Sequence, residues 1–316
     1  MSPAATCPSC QSAVEHRPVA RHRAGGTIYR LFQCPVCDLQ FWAPRQNDSG
    51  YFIGMSSVIS DFGLQRMRMW HYPFFRRFPR ESGRLLDVGC ADGAFLAALQ
   101  DRDFDLYGCD FDLAAIASGA KKRGLENLST SSLSDYAGLE QRFDVITFFE
   151  VLEHQDYPGV FIEDVKRLLE ADGWIAGSVP NRDRLIIRRE WQDYPPGHFL
   201  YFSEGSLHDL LVRHGFTNIT ICSGDFRAAD LGLYLENQLL GGWGDWIKQA
   251  LKKGATGVNE AAARIIPVEN LPQNRRSAVL MLIRRCRNLV FMLPALLLRS
   301  VLKPHLYFQA QLPGKQ

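Results

Sequence analysis

From Arg84 onward, short apolar runs alternate with longer stretches whose apolar residues recur at helical spacing. Arg84-Leu-Leu-Asp-Val-Gly reads as an apolar strand ending in a glycine turn, and Ala94–Gln100 continues as a helix. Asp105–Cys109 predicts a strand and Leu113–Arg123 a helix. Phe143–Phe149 is a strong strand, followed by a helix over Gly159–Leu169 and a strand over Trp174–Val179. Ser206–His214 and Thr217–Cys222 repeat the helix–strand pair. Alternation at this pace predicts an α/β fold, a parallel sheet with helices on both faces.

The flanks break this rhythm. Residues 1–45 hold two Cys-x-x-Cys pairs and short β-like runs, Thr27–Phe32 and Leu39–Trp42. Residues 46–80 are aromatic and basic, with a helix predicted over Gln65–Phe78, and read as a connector that packs over the next domain. The alternating domain occupies 81–224. Residues 225–304 are rich in Leu, Ala and Arg and read as a helical insertion before a final strand and tail, 305–316.

Composition narrows the class. The chain has 316 residues, enough for one large domain and a small module. Hydrophobic residues make up 46% and charged residues 22%, as in a folded globular protein. A net charge of +2 argues against a broad nucleic-acid surface, which needs a clustered basic excess. The opening residues carry no apolar export signal, and no run reaches the ~18 apolar residues of a membrane span. The expected location is cytoplasmic.

The main chemical signal is Leu85-Leu-Asp-Val-Gly-Cys-Ala-Asp-Gly-Ala-Phe-Leu. A strand delivers Asp87 into a tight turn built from Gly89, Cys90, Ala91 and Gly93, small enough for backbone to approach a ligand closely. The helix that follows offers free N–H groups. An acid two residues before the first glycine would repel the pyrophosphate of a dinucleotide, but it suits a ligand carrying an ammonium group. The next strand ends in Gly108-Cys-Asp-Phe-Asp, placing Asp110 to accept from ribose hydroxyls and Phe111 to lie against a base.

Over Arg84 to Cys222 the chain resembles the class I S-adenosylmethionine (SAM)-dependent methyltransferases, through DVGCADG, GCDFD and FDVITFFEVLEH. The resemblance implies a Rossmann-like, mostly parallel seven-stranded sheet, SAM across the strand ends, and methyl transfer. Ala91 stands where many relatives carry glycine.

On the acceptor side, Glu150, Glu153 and His154 form an E-x-x-E-H cluster similar to one in ubiquinone-biosynthesis O-methyltransferases. There it holds a divalent ion that lowers the pKa of a substrate hydroxyl. The same acids also suit a helix start that only shapes the pocket. The Asn-Pro-Pro-Tyr run of amino-group methylases is absent, which favours a hydroxyl or carbon acceptor. His198-Phe-Leu-Tyr-Phe-Ser203 follows a Pro-Pro-Gly turn and resembles the H-x-x-x-F-S segment of these enzymes. It makes His198 the first candidate for a general base, or else a histidine that bonds its own loop.

Cys7-Pro-Ser-Cys10 and Cys34-Pro-Val-Cys37 read as two knuckles of a structural zinc ribbon, four thiolates on one tetrahedral ion. Ribbon-bearing relatives include sugar methyltransferases and an rRNA guanine methyltransferase group. Between Arg275 and Lys303 lie Arg276, Arg284, Arg285, Arg287 and Arg299, with no acid and two short apolar runs. Together with Trp243 and Trp246, residues 243–303 suit peripheral contact with the inner face of an anionic membrane, a pocket lid or a dimer interface. The expected acceptor is a sugar, glycolipid or other small molecule. An RNA base and a SAM-binding adaptor role are the alternatives.

Overall fold

The computed structural model describes residues 5–15, 17–45, 67–186, 193–223, 227–240 and 290–314. These fall into two units. One comprises Met1–Arg184, Glu190–Asp225 and Lys303–Gln316, the other Leu185–Arg189 and Phe226–Leu302.

The first unit begins with short antiparallel strands. β1 (Ala5–Thr6) pairs with β2 (Ala13–Val14), and β3 (Ala20–Ala24), β4 (Thr27–Gln33) and β5 (Gln40–Ala43) form a meander. Gly25 and Gly26, at φ 54° and 82°, make the two-residue turn between β3 and β4, a conformation that suits glycine. The connector enters as a 3-10 turn, Met69–His71, and a helix α1 (Tyr72–Arg77) with proline at its start. The helix predicted over Gln65–Phe78 is therefore shorter at its described end, because Pro73 fits the first turn of a helix and not its interior. Residues 46–66 lie outside the described residues.

The alternating region then runs β6 (Ser82–Val88), α2 (Ala94–Ala97), β7 (Asp103–Cys109), α3 (Leu113–Arg123), β8 (Leu128–Ser129), α4 (Leu133–Gly138), β9 (Phe143–Phe149), α5 (Pro158–Leu168), β10 (Leu169–Pro180), β11 (Leu200–Tyr201), α6 (Glu204–Arg213) and β12 (Thr217–Cys222). The last strand of the unit is β13 (His305–Gln311). Local signals set several of these bounds. Asp112 caps α3 by accepting from the amides of Ala114 and Ala115, and Gly124 ends it at φ 67°. Ser203 caps α6 in the same way.

Seven strands join in the order β12-β13-β10-β9-β6-β7-β8. β13 runs antiparallel to both neighbours, and the other ladders are parallel. Successive residues face opposite layers, as strand geometry requires. Leu86, Ile146, Phe148 and Ile175 pack on one side, and Leu85, Val145, Ala176 and Tyr307 on the other. This is the Rossmann-like, mostly parallel α/β sheet with helices expected from the sequence.

Two bounds of the alternating region differ from expectation by three residues or more. The helix after the glycine turn stops at Ala97 instead of Gln100, and β10 starts at Leu169, five residues before Trp174, through an irregularity in its pairing with β9. The N-terminal meander also takes a fourth strand from later in the chain. β11 pairs antiparallel with β5, giving the order β11-β5-β4-β3.

In the second unit, α7 (Ala228–Leu240), residues 290–297 and, after a turn at Leu298, Arg299–Leu302 are helical. Leu231, Leu235, Ala295 and Leu302 form its core, and the Tyr234 hydroxyl donates to the Leu185 carbonyl at 2.9 Å. No helix among the described residues is long and apolar enough to cross a membrane.

Candidate active site

The carboxyl ends of β6, β7 and β9 lie side by side, where open α/β sheets bind ligands. A cavity of about 390 Å³ opens there, lined by Val88, Gly89, Cys109, Asp110, Phe111, Thr130–Leu133, Glu150, Val151, His154, Gln155 and Phe161. Its size falls in the range of small-ligand sites.

The glycine turn shapes one wall. Gly89 and Gly93 sit at φ 76° and 72°, and Ala91 between them at 48°. A Cβ on Gly89 would come within 2.6 Å of Val151, another cavity residue. The Ala91 amide donates to Asp110 Oδ2 and the Asp112 amide to Asp110 Oδ1, both at 2.9 Å, so the carboxylate is fixed at the rim. Phe111 beside it is 51% exposed and lines the cavity. Cys90 is buried and packs with the core beneath the turn, and it does not line the cavity.

Asp87 also lies behind the cavity wall. It is buried and accepts a 2.7 Å hydrogen bond from Thr147, its register partner on β9. Burial, with the Asp110 charge adding to it, raises its pKa to about 7 even though Thr147 opposes the shift. A cation in the cavity would draw it back toward the ionised form.

Glu150, Glu153 and His154 follow the end of β9 but have different partners. Glu150 has a φ of 56° and turns its carboxylate to Ser178 Oγ at 2.8 Å and His305 Nδ1 at 3.1 Å. Burial alone would raise its pKa. The charge and hydrogen bond of His305 and the bond from Ser178 instead hold it below the ordinary range.

Glu153 is 1% exposed, and neither of its oxygens accepts a hydrogen bond among the described residues. Burial, then repulsion from Glu150, pushes its pKa well up. His154 Nδ1 lies 2.8 Å from the Gly197 carbonyl, which fixes the proton on that nitrogen and leaves Nε2 as acceptor, 3.8 Å from Glu153. Burial lowers its pKa below the usual histidine value, against the Gly197 bond and the Glu150 charge.

His198 stacks obliquely on His154, with centroids 4.9 Å apart. It faces Asp193 at 4.0 Å but is absent from the cavity lining. Burial, then the nearby charges of His154 and Arg184, hold its pKa well below the usual histidine value. Of the expected trio of Glu150, Glu153 and His154, the last two have ligand atoms within 4.8 Å of each other and of His198. Glu150 is drawn away by His305.

His305 and Ser178 were missed from sequence. His305 follows Pro304 at the start of the final strand and is the register partner of Pro180. Only the antiparallel placement of β13 beside β10 brings it to the site. Thr130–Ser132 carry no motif that would mark them as cavity wall.

The four ribbon cysteines also converge. Cys7 and Cys37 Sγ are 3.5 Å apart and Cys10 and Cys34 3.4 Å, and all four lie within 4.8 Å of one another. A hydrogen bond from Cys7 lowers the Cys37 pKa to about 5. Four soft donors in a closed cluster fit a structural tetrahedral ion, with no open coordination position.

A model of the methyltransferase-domain family matches residues 63–221. The mitochondrial ubiquinone biosynthesis O-methyltransferase of Candida albicans is 36% identical over 109 residues, covering 31% of this chain and 33% of that protein. A probable S-adenosylmethionine-dependent methyltransferase of Mycobacterium tuberculosis is 27% identical over 158 residues, covering 48% and 56%. The chain thus spans between 33% and 56% of the length of these curated relatives. Among solved structures, Haemonchus contortus phosphoethanolamine N-methyltransferase 2 with bound SAM has a TM-score of 0.51 at 12% identity, covering 94% of this chain and 71% of that one. That likeness is one of fold.

Proposed function

The chain belongs to the methyltransferase-domain family, a SAM-dependent class, and on that premise we propose that it methylates a hydroxyl oxygen on a small, sugar-containing or lipid-linked acceptor. The observation that carries this reading is His154. It is an imidazole on the cavity wall, with Nδ1 tied to the Gly197 carbonyl, Nε2 3.8 Å from Glu153, and its pKa lowered by burial into the range of a general base.

In the proposed reaction the acceptor oxygen attacks the methyl carbon in line as the carbon–sulfur bond breaks. SAM leaves as the neutral thioether S-adenosylhomocysteine. The hydroxyl proton passes to His154 Nε2, beside Glu153, and His198 packs behind the ring. Asp110 and Phe111 hold the ribose and adenine, and Asp87 faces the positive charge of SAM from behind the wall. Alignment in the cavity supplies much of the rate.

A second reading follows from the bare oxygens of Glu153. A buried carboxylate with no donor beside two imidazoles suits a divalent cation held by Glu153, His154 and His198. Such an ion would lower the pKa of a nearby hydroxyl.

Residues 290–302 support a lipid-linked acceptor. Val290, Leu293, Leu297 and Val301 are exposed, Leu297 by 77%, next to exposed Arg299 and Lys303. An apolar face bordered by basic groups suits an anionic lipid surface. Trp243, Trp246 and the arginines from Arg275 to Arg287 lie outside the described residues.

The test is transfer of a labelled methyl group from SAM to lipid, aqueous small-molecule and RNA extracts, each with and without chelator. Label as an ether or ester in the lipid or aqueous extract is expected. Label on carbon, or in RNA, would overturn the proposal. Activity lost to chelator and restored by Mg²⁺ or Mn²⁺ would replace His154 as base with the cation.

A further inference from the structure

Residues 193–203 are built as much on the ribbon as on the large sheet. The Trp42 amide donates to the Phe199 carbonyl at 2.9 Å, and Leu200 and Tyr201 pair with Phe41 and Gln40. The Trp42 indole N–H donates to the Tyr201 hydroxyl at 2.9 Å, and that hydroxyl donates to the Asp193 carbonyl. Trp42 is fully buried, and Tyr194 stacks on His22 of β3 with centroids 4.5 Å apart.

A second tie leaves the cysteine knuckle itself. Asp38 follows Cys37, stands at φ 61°, and bonds its amide to the Cys34 carbonyl at 3.0 Å. Its carboxylate accepts from Arg182 at 2.7 Å and from Ser203 at 3.0 Å, so the direction of the knuckle turn sets both ends of this tie. Between these anchors the 193–203 segment carries His198 and the Gly197 carbonyl that orients His154.

We propose that the four-cysteine ribbon is the positioning element of the acceptor side, with Trp42 and Asp38 holding residues 193–203 and through them the rings of His154 and His198. This rests on the reading of His154 as the acceptor-side base, but its test does not depend on knowing the acceptor. Among the described residues the SAM side shares none of these ties, since the Gly89–Gly93 turn and Asp110 bond to each other, to β7 and β8 and to the start of α3. Metal at the cysteines is thus linked to the geometry of acceptor activation and not to SAM binding.

The experiment is amide hydrogen exchange on the full chain, loaded with Zn²⁺ and after chelation, with calorimetry of S-adenosylhomocysteine on both samples. Removing the ion should speed exchange of amides 199–202 about tenfold or more, while amides of β6 and β9 keep their protection and affinity stays within about twofold. The Nδ1 proton of His154, slowed by its bond to Gly197, should broaden in the NMR spectrum. A Trp42→Phe variant that keeps its zinc should show a smaller loosening at the same amides. Protection at 199–202 that survives both changes would overturn the proposal. So would loss of β6 and β9 protection together with it, which would make the ribbon a support for the whole unit.

Discussion

Four carboxylates at or behind the cavity wall have pKa values moved by their surroundings, three upward and one downward. Glu150 is held ionised by His305 and Ser178. Asp110 is raised by burial against its two amide bonds, and Glu153 is driven toward the protonated form by burial and by Glu150. Asp87, at about 7, titrates in the working range. Because its folded pKa lies above the unfolded value of 3.8, its contribution to stability is full below about pH 4 and fades as pH rises through 7. SAM binding should show the opposite trend, since the cation favours ionised Asp87. Affinity is expected to be about tenfold weaker at pH 6 than at pH 8, and flat with pH in Asp87→Asn; calorimetry at several pH values checks this. Asp87 and Asp110 were legible because each ends a predicted strand next to small residues. Thr147 and His305 were not, because what they do depends on which strand lies beside them, and one sequence read along its length does not contain that.

Among the elements, strands with apolar side chains on both faces were the easiest to read. Phe143–Phe149 has the expected bounds, its two polar residues, Asp144 and Thr147, lying within an otherwise apolar run. Elements fixed by partners were harder. Leu200–Tyr201 reads from sequence as the tail of a histidine loop, and only β5 makes it a strand. Close packing in the sheet gives a test at this scale. A Cβ on Gly177 would meet the Phe148 carbonyl at 2.3 Å and the Phe308 ring at 2.8 Å. Backbone cannot yield as a side-chain tip can, so Gly177→Ala is expected to cost about 1–3 kcal/mol. Gly138, at the end of α4, has nothing within 4 Å of that position, and Gly138→Ala should be neutral or stabilising by up to about 1 kcal/mol. Urea midpoints of the two variants separate the cases, and equal midpoints would contradict the packing argument.

At the scale of the molecule, ribbon and sheet fold as one unit and share a continuous core. Cys7, Phe41 and Trp42 belong to the same cluster as Phe199, Leu207 and Phe148. The Cys-x-x-Cys spacing revealed the ribbon, but nothing local revealed that its edge strand would pair with residues after His198. Both halves of the account require SAM to sit against Asp110, on the side of the sheet ends that the ribbon does not hold. The most direct test is calorimetric titration of S-adenosylhomocysteine into the wild-type chain and Asp110→Ala at pH 8. One site per chain is expected, with affinity about tenfold or more weaker in the variant, as for loss of a charge-assisted hydrogen bond to a ribose hydroxyl. Equal affinity in the two proteins would place the cofactor elsewhere and contradict the site described here.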